Sequence, residues 1–285
     1  MKIRTGPFVS PSSRMQHKLG IIAGGGTLPR SLVHYCIETG RAYCLVALVG
    51  HAEIVHLDGV KFVHWSRIGA AGKIIDILKG EGVRDLVMVG PVKRPSLITA
   101  MPDIRGLKFL LRAGRRALGG DNSILSAIAG ELEAEGFRVI GIDSLLEGLL
   151  TPPGVLTCTT PTNDLENLIR IGLEEARKLG SKDIGQAVVI EGTNILARET
   201  SEGTNDLIRR ASSLARNRRN LILVKAKKPK QDRRVDLPTM GLETVQLAAE
   251  HGFAGIAIEA GHSLLVDKEH AIAAADAANL FIIGI

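Results

Sequence analysis

Aromatic side chains are scarce: they make up 3% of the 285 residues, with one Trp, two Tyr and six Phe. None falls between Arg198 and Arg234, the most basic stretch, so a base-stacking platform is disfavoured and nucleic acid is not an expected partner. Cysteine is scarce as well. Cys36, Cys44 and Cys158 lack metal-ligand spacing and cannot all pair, which predicts buried thiols in a reducing, cytoplasmic setting. The eight histidines contain no His-x-x-x-His pairing, so a zinc site is not expected. No apolar run approaches the roughly 18 to 20 residues that span a bilayer. Residues 1–18 carry Arg, Lys, Ser and Pro without an apolar core, which predicts a disordered lead-in rather than a secretory signal.

What the chain does have is cationic charge, unevenly placed. The net charge is +6, yet Arg198 to Arg234 holds twelve Lys/Arg against four Asp/Glu, a local +8 that leaves the remainder near −2. A basic region that local points to an anionic ligand or an anionic membrane surface. Its end is the most informative segment. The apolar run Asn220 to Val224 reads as a buried strand. Lys225, Lys227, Lys228, Lys230, Arg233 and Arg234 follow with Asp232 and Asp236, and Pro238 and Gly241 close the stretch. Charge that dense is costly to pack unless an anion or metal neutralises it. Phosphate chemistry uses this mixture, with cations on phosphate oxygens and carboxylates holding a divalent metal or orienting water. A solvated basic loop is the competing interpretation.

The first half reads as β-α-β-α-β-α-α-β, a doubly wound α/β layer. Strand Leu19 to Ala23 runs into Gly24, Gly25 and Gly26 and then a helix, an arrangement whose free backbone N–H groups suit a phosphate. A dinucleotide fingerprint needs another glycine where Pro29 stands and an acid where Gly50-His51 follows the second strand, so a nicotinamide site is disfavoured. Gly90, Lys93 and Arg94 follow the strand Asp85 to Val89, at the strand end where ligands collect in parallel sheets. Asp121 or Asn122 caps the next helix. Leu149 to Thr162, with three prolines and five threonines, reads as a connector. Beyond it, Gln186 to Glu191 and Ile195 to Glu199 form a hairpin, Thr204 or Asn205 starts a helix, and strands end near Glu259 and His262. The divisions are therefore a lead-in over 1–18, an N-terminal domain over 19–150, a linker over 151–162 and a mixed α/β domain over 163–285.

Several motifs, in order, carry a resemblance: Leu19-Gly-Ile-Ile-Ala-Gly-Gly-Gly-Thr-Leu-Pro29, Val89-Gly-Pro-Val-Lys-Arg-Pro95, Gly120-Asp-Asn122, Glu202-Gly-Thr-Asn205, Lys228-Pro-Lys-Gln231, Arg234-Val-Asp-Leu-Pro-Thr-Met-Gly241 and Ala254-Gly-Ile-Ala-Ile-Glu-Ala-Gly261. Together they resemble the UDP-2,3-diacylglucosamine pyrophosphatase family of lipid A biosynthesis, the type with a Rossmann-like N-terminal domain and its own C-terminal fold. The chain differs at Asn122 and Asn205, where that family more often carries Asp.

The resemblance implies cleavage of the pyrophosphate to UMP and 2,3-diacylglucosamine 1-phosphate, assisted by Mg²⁺ or another divalent cation. It implies a C-terminal catalytic domain, peripheral association with the inner face of the cytoplasmic membrane, and leaves a homo-oligomer open. The expected catalytic residues are Asp236, Lys225 and Lys228, and the expected metal ligands Asp236 and Asp232. Substrate contacts are expected from Gly24, Gly25, Gly26, Gly90, Lys93, Arg94, Asp121, Thr204, Lys227 and Arg234. Hydrolysis of another nucleotide-linked sugar, or a non-enzymatic module for anionic surfaces, are the alternatives.

Overall fold

The computed structural model describes residues 17–53, 60, 62–92, 102–108, 121–216, 220–229 and 231–285, with only backbone at 121–123, 147 and 163. The lead-in up to residue 16 lies outside the described residues, as does most of the basic helix expected after Asp103. The first half contains β1 (Leu19–Ala23), α1 (Leu28–Thr39), β2 (Tyr43–Leu48), β3 (His64–Ser66), α2 (Ala71–Gly80), β4 (Asp85–Val89), α3 (Asp121–Ala134) and β5 (Arg138–Val139). They form one sheet in the order β3-β2-β1-β4-β5 with every pair parallel. Parallel strands need both faces covered, which is why β1, β2 and β4 are nearly continuous apolar runs. Alternate residues of β2 serve opposite faces: Leu45 and Ala47 pack with α1, while Cys44, Val46 and Leu48 pack with α2 and α3. The doubly wound layer expected from the sequence is therefore present.

Two details differ. β3 is a three-residue edge strand too short to leave a periodic signal. The strand expected over Phe137 to Ile142 is reduced to β5, after which Ile142–Ser144 makes a 3₁₀ turn.

The second half contains β6 (Gly154–Val155), α4 (Asn163–Ser181), β7 (Ala187–Glu191), β8 (Asn194–Arg198), α5 (Thr204–Leu214), β9 (Leu221–Lys225), β10 (Thr239–Met240), α6 (Leu242–Glu250), β11 (Gly255–Ile258), β12 (Leu264–Leu265), α7 (Lys268–Ala277) and β13 (Phe281–Gly284). Its main sheet runs β6-β13-β11-β9-β7-β8 and is mixed: β9, β11 and β13 are parallel, while β7 opposes β9. Within the expected connector, β6 pairs antiparallel with β13. Strand β9 shows how the layers form. Ile222 and Val224 pack beneath α4, whereas Leu221 and Leu223 pack beneath α5, α6 and α7. Lys225 is in phase with the second set, so its stem enters that apolar layer.

The halves share a core. Leu237, Leu264 and Val266 from the second half pack with Leu19, Ile21, Leu28 and Leu32 from the first. The segment after β9 thus runs across to the N-terminal sheet and back to β10.

The cysteines divide. Cys36 and Cys44 are buried, and burial pushes each thiol up to about 11. Cys158 is exposed, correcting the expectation that all three are buried. At pH 8 a thiol of that pKa is ionised about once in a thousand molecules. Iodoacetamide at pH 8 should accordingly label Cys158 alone in the native protein, with mass spectrometry finding Cys36 and Cys44 modified only after denaturation. Rapid native labelling of either would mean that the α1–β2 packing described here is wrong.

Candidate active site

The parallel strands β9 and β11 end together, and because β7 opposes β9 the start of β7 lies at the same end, with Ala187 level with Lys225. Lys225 is the last residue of β9, Glu259 follows β11, Gln186 precedes β7 and Glu199 follows β8. In open α/β sheets, ligands collect beyond the carboxyl ends of parallel strands.

Lys225 is 7% exposed. It donates to the Thr204 hydroxyl at 3.2 Å and to the Thr239 carbonyl at 3.0 Å. An ammonium has three N–H donors, so one remains for a ligand. The Thr204 hydroxyl in turn donates to Glu199 Oε1 at 2.6 Å, and Glu199 Oε2 accepts the Gln186 N–H at 2.6 Å. Burial pulls the Lys225 pKa down, and the charges of Glu199 and Asp236 oppose that pull. Burial is the larger influence, so the net shift is downward and the two carboxylates limit it.

Asp236 lies on a tight turn in which the Asp232 carbonyl accepts the N–H groups of Val235 and Asp236. The turn is wedged against the first half: Val235 packs beside Leu132 and Phe137, and Leu237 enters the shared core. Burial is the largest influence on the Asp236 carboxyl and raises its pKa. A hydrogen bond with Gln231 and the charges of Lys228 and Lys225 act the other way, while Asp183 adds to the rise. Lys228 Nζ donates to Asp183 Oδ1 at 2.6 Å, and the Lys228 N–H donates to Gln231 Oε1 at 3.1 Å. Lys225, Lys228, Asp236 and Thr204 are thus brought to one end of the sheet. Glu199, Asp183 and Gln231 belong with them but went unrecognised, since nothing local distinguishes them from surface polar residues.

Other expected residues take different parts. Asp232 directs both carboxylate oxygens at Arg234, accepting its backbone N–H at 3.0 Å, Nε at 3.1 Å and Nη2 at 2.8 Å. Those bonds hold the Asp232 carboxyl below the usual range. Arg234 also donates to Glu133 at 2.6 Å, so it fastens the turn to α3. The Lys227 N–H donates to Glu259 Oε2 at 2.7 Å, and Glu259 is salt-bridged to Arg177, so Glu259 has a capping role. His262 stands 3.4 Å from Arg233, whose guanidinium pairs with Asp143. Asn205 donates to Glu243. Among the described residues, five cations of the basic run are ion-paired: Arg198 with Glu175, Arg210 with Asp206, and Lys228, Arg233 and Arg234 with acids named above.

The glycine turn requires a correction. The Gly24 N–H donates to the Val89 carbonyl at 2.8 Å and the Gly25 N–H to the Pro91 carbonyl at 2.9 Å, so neither is free for a phosphate. A Cβ on Gly24 would sit 2.6 Å from the Gly90 and Pro91 oxygens, and one on Gly90, at φ 91°, 2.3 Å from the Gly25 oxygen. These glycines let the loops after β1 and β4 interlock where the strand order reverses. Gly26, at φ 75°, leads on into α1. Lys93 and Arg94 lie outside the described residues, as does the side chain of Asp121.

Among the described residues no three of His, Cys, Asp and Glu converge as a metal cage. Asp183 acts on Asp236 through its charge and is itself paired with Lys228, so a cation held by Asp236 would take its other ligands largely from water and phosphate.

Comparison with known proteins bears on both halves. Residues 18–149 match the LpxI N-terminal domain and residues 152–283 the LpxI C-terminal domain. The UDP-2,3-diacylglucosamine pyrophosphatase LpxI of Caulobacter vibrioides is 41% identical over 275 residues, covering 94% of this chain and 97% of that protein. A solved N5-carboxyaminoimidazole synthase from Aspergillus clavatus is 12% identical, covers 70% of this chain and 44% of its own, and has a TM-score of 0.23, too low to carry any argument. With both domains matched and a relative aligned nearly end to end, the chain belongs to the LpxI family.

Proposed function

We propose that this chain is a hydrolase that cleaves the pyrophosphate of UDP-2,3-diacylglucosamine with water, releasing UMP and 2,3-diacylglucosamine 1-phosphate. The observation that carries the proposal is the end-to-end match to a protein named for that activity, on which the Lys225, Lys228 and Asp236 cluster is superposed as suitable chemistry.

The pyrophosphate carries two negative charges that repel an attacking water, and more charge collects on its oxygens as the P–O bond breaks. A buried ammonium stabilises that charge more strongly than an exposed one, because little water screens it. Lys225 has one N–H left for a phosphate oxygen, and Lys228 is the second cation of the cluster. Asp236 orients the water or a metal. A divalent cation such as Mg²⁺, held by Asp236 with Asp183 beside it, would supply further neutralisation of the pyrophosphate oxygens. Asp232, committed to Arg234, supports the turn instead.

Among the described residues no helix is long and apolar enough to cross a membrane. A diacylated substrate resides in a bilayer, so the chain meets it peripherally, at the inner face of the cytoplasmic membrane.

Asp236→Ala should lower UMP release from UDP-2,3-diacylglucosamine by on the order of 10²- to 10⁴-fold, with the thermal melt little changed. Full activity in the variant, or an unfolded variant, would mean a structural carboxylate. Chelation with EDTA should abolish turnover by the wild-type protein and added Mg²⁺ should restore it. Undiminished turnover in EDTA would remove the metal from the scheme.

A further inference from the structure

Glu199 has no role in the scheme above, yet it is placed with care. It is 5% exposed, and Gly185 leaves room for it: a Cβ there would lie 2.8 Å from Glu199 Cβ. One oxygen accepts the Gln186 N–H, which a purely structural cap would explain. The other accepts the Thr204 hydroxyl proton, and this second bond has a consequence for the cluster. A threonine hydroxyl has one proton. An ammonium can only donate, and with the hydroxyl proton directed to Glu199 a lone pair of the Thr204 oxygen is held toward Lys225. The Thr239 carbonyl fixes a second N–H from the strand side. Two of the three donors are thereby pinned by protein groups, and the orientation of the third follows.

We infer that Glu199 is a positioning residue for pyrophosphate cleavage: through the Thr204 hydroxyl it orients the Lys225 ammonium so that the remaining N–H faces the space shared with Asp236. This rests on the reading of Lys225 as the phosphate-facing cation. It also reassigns Thr204 from substrate contact to the link between Glu199 and Lys225. The orientation matters most where charge develops during the reaction, so its loss should appear in kcat rather than KM.

Two variants separate positioning from packing. Glu199→Gln keeps an oxygen for the Gln186 N–H and removes the charge that fixes the hydroxyl. Thr204→Val keeps volume and removes the hydroxyl, and Thr204→Ser restores it. With UDP-2,3-diacylglucosamine as substrate, Glu199→Gln and Thr204→Val should lose about 10- to 100-fold in kcat with KM changed far less, and Thr204→Ser should recover most of the loss. Wild-type kcat in Thr204→Val, or a Ser variant as impaired as Val, would overturn the inference.

A second measurement does not depend on turnover. In protein with ¹⁵N-labelled lysine, the Lys225 ammonium resonance, assigned by its loss in Lys225→Met, should shift in Glu199→Gln and Thr204→Val but not in Thr204→Ser. An unmoved resonance would overturn the positioning claim. Absence of UMP release by the wild type would instead overturn the proposed function.

Discussion

A charged lysine at the end of an apolar strand is the constraint from which the rest of the site follows. Lys225 continues the face of β9 that carries Leu221 and Leu223 and is itself buried. An isolated ammonium there would lose its proton or leave the core. Here Thr204 and the Thr239 carbonyl accept its N–H groups, and the charges of Glu199 and Asp236 oppose the downward pull of burial on its pKa. Among the described residues, Lys225 hydrogen-bonds Thr204 and the Thr239 carbonyl rather than either carboxylate. The cation is therefore stabilised but not consumed, and a phosphate can still be its third acceptor.

Asp236 is constrained from the other side. Its turn is gripped by the N-terminal half through Val235, Leu237, the Arg233–Asp143 pair and the Arg234–Glu133 pair. The surface ion pairs contribute little individually, about 0 to 1 kcal/mol each. Burial of Leu237 is the larger anchor, since truncating a buried leucine costs about 2 to 5 kcal/mol. Lys225 is thus fixed by the second sheet and Asp236 by contacts with the first half. The relative placement of the two charges depends on the shared core, which gives the two-domain arrangement a function beyond carrying separate subsites.

Much of this was legible from local pattern. The apolar run before Lys225 predicted β9, and the two runs around Gly192-Thr193-Asn194 predicted the β7–β8 hairpin. What was not legible depends on partners distant in sequence. The amides of Gly24 and Gly25 look free until the loop after β4 arrives and takes them. Glu199 resembles any acid after an edge strand until β7 and β9 pair and bring Thr204 and Lys225 beside it. Asp232 and Arg234 looked available for metal and substrate because a charge run does not reveal which of its members neutralise one another. Cys158 is exposed because the segment around β6 runs along the outside of the sheet, its N–H bonded to Asp276 on α7.

The central claim is that Lys225 and Asp236 act as one unit on a phosphate bound between them. A double-mutant cycle in single-turnover hydrolysis of UDP-2,3-diacylglucosamine, using Lys225→Met, Asp236→Asn and the combination, measures that coupling directly. Joint action predicts that the double variant is hardly slower than the slower single variant. Losses that multiply would contradict it, because two charges contributing independently would not need the shared placement described here.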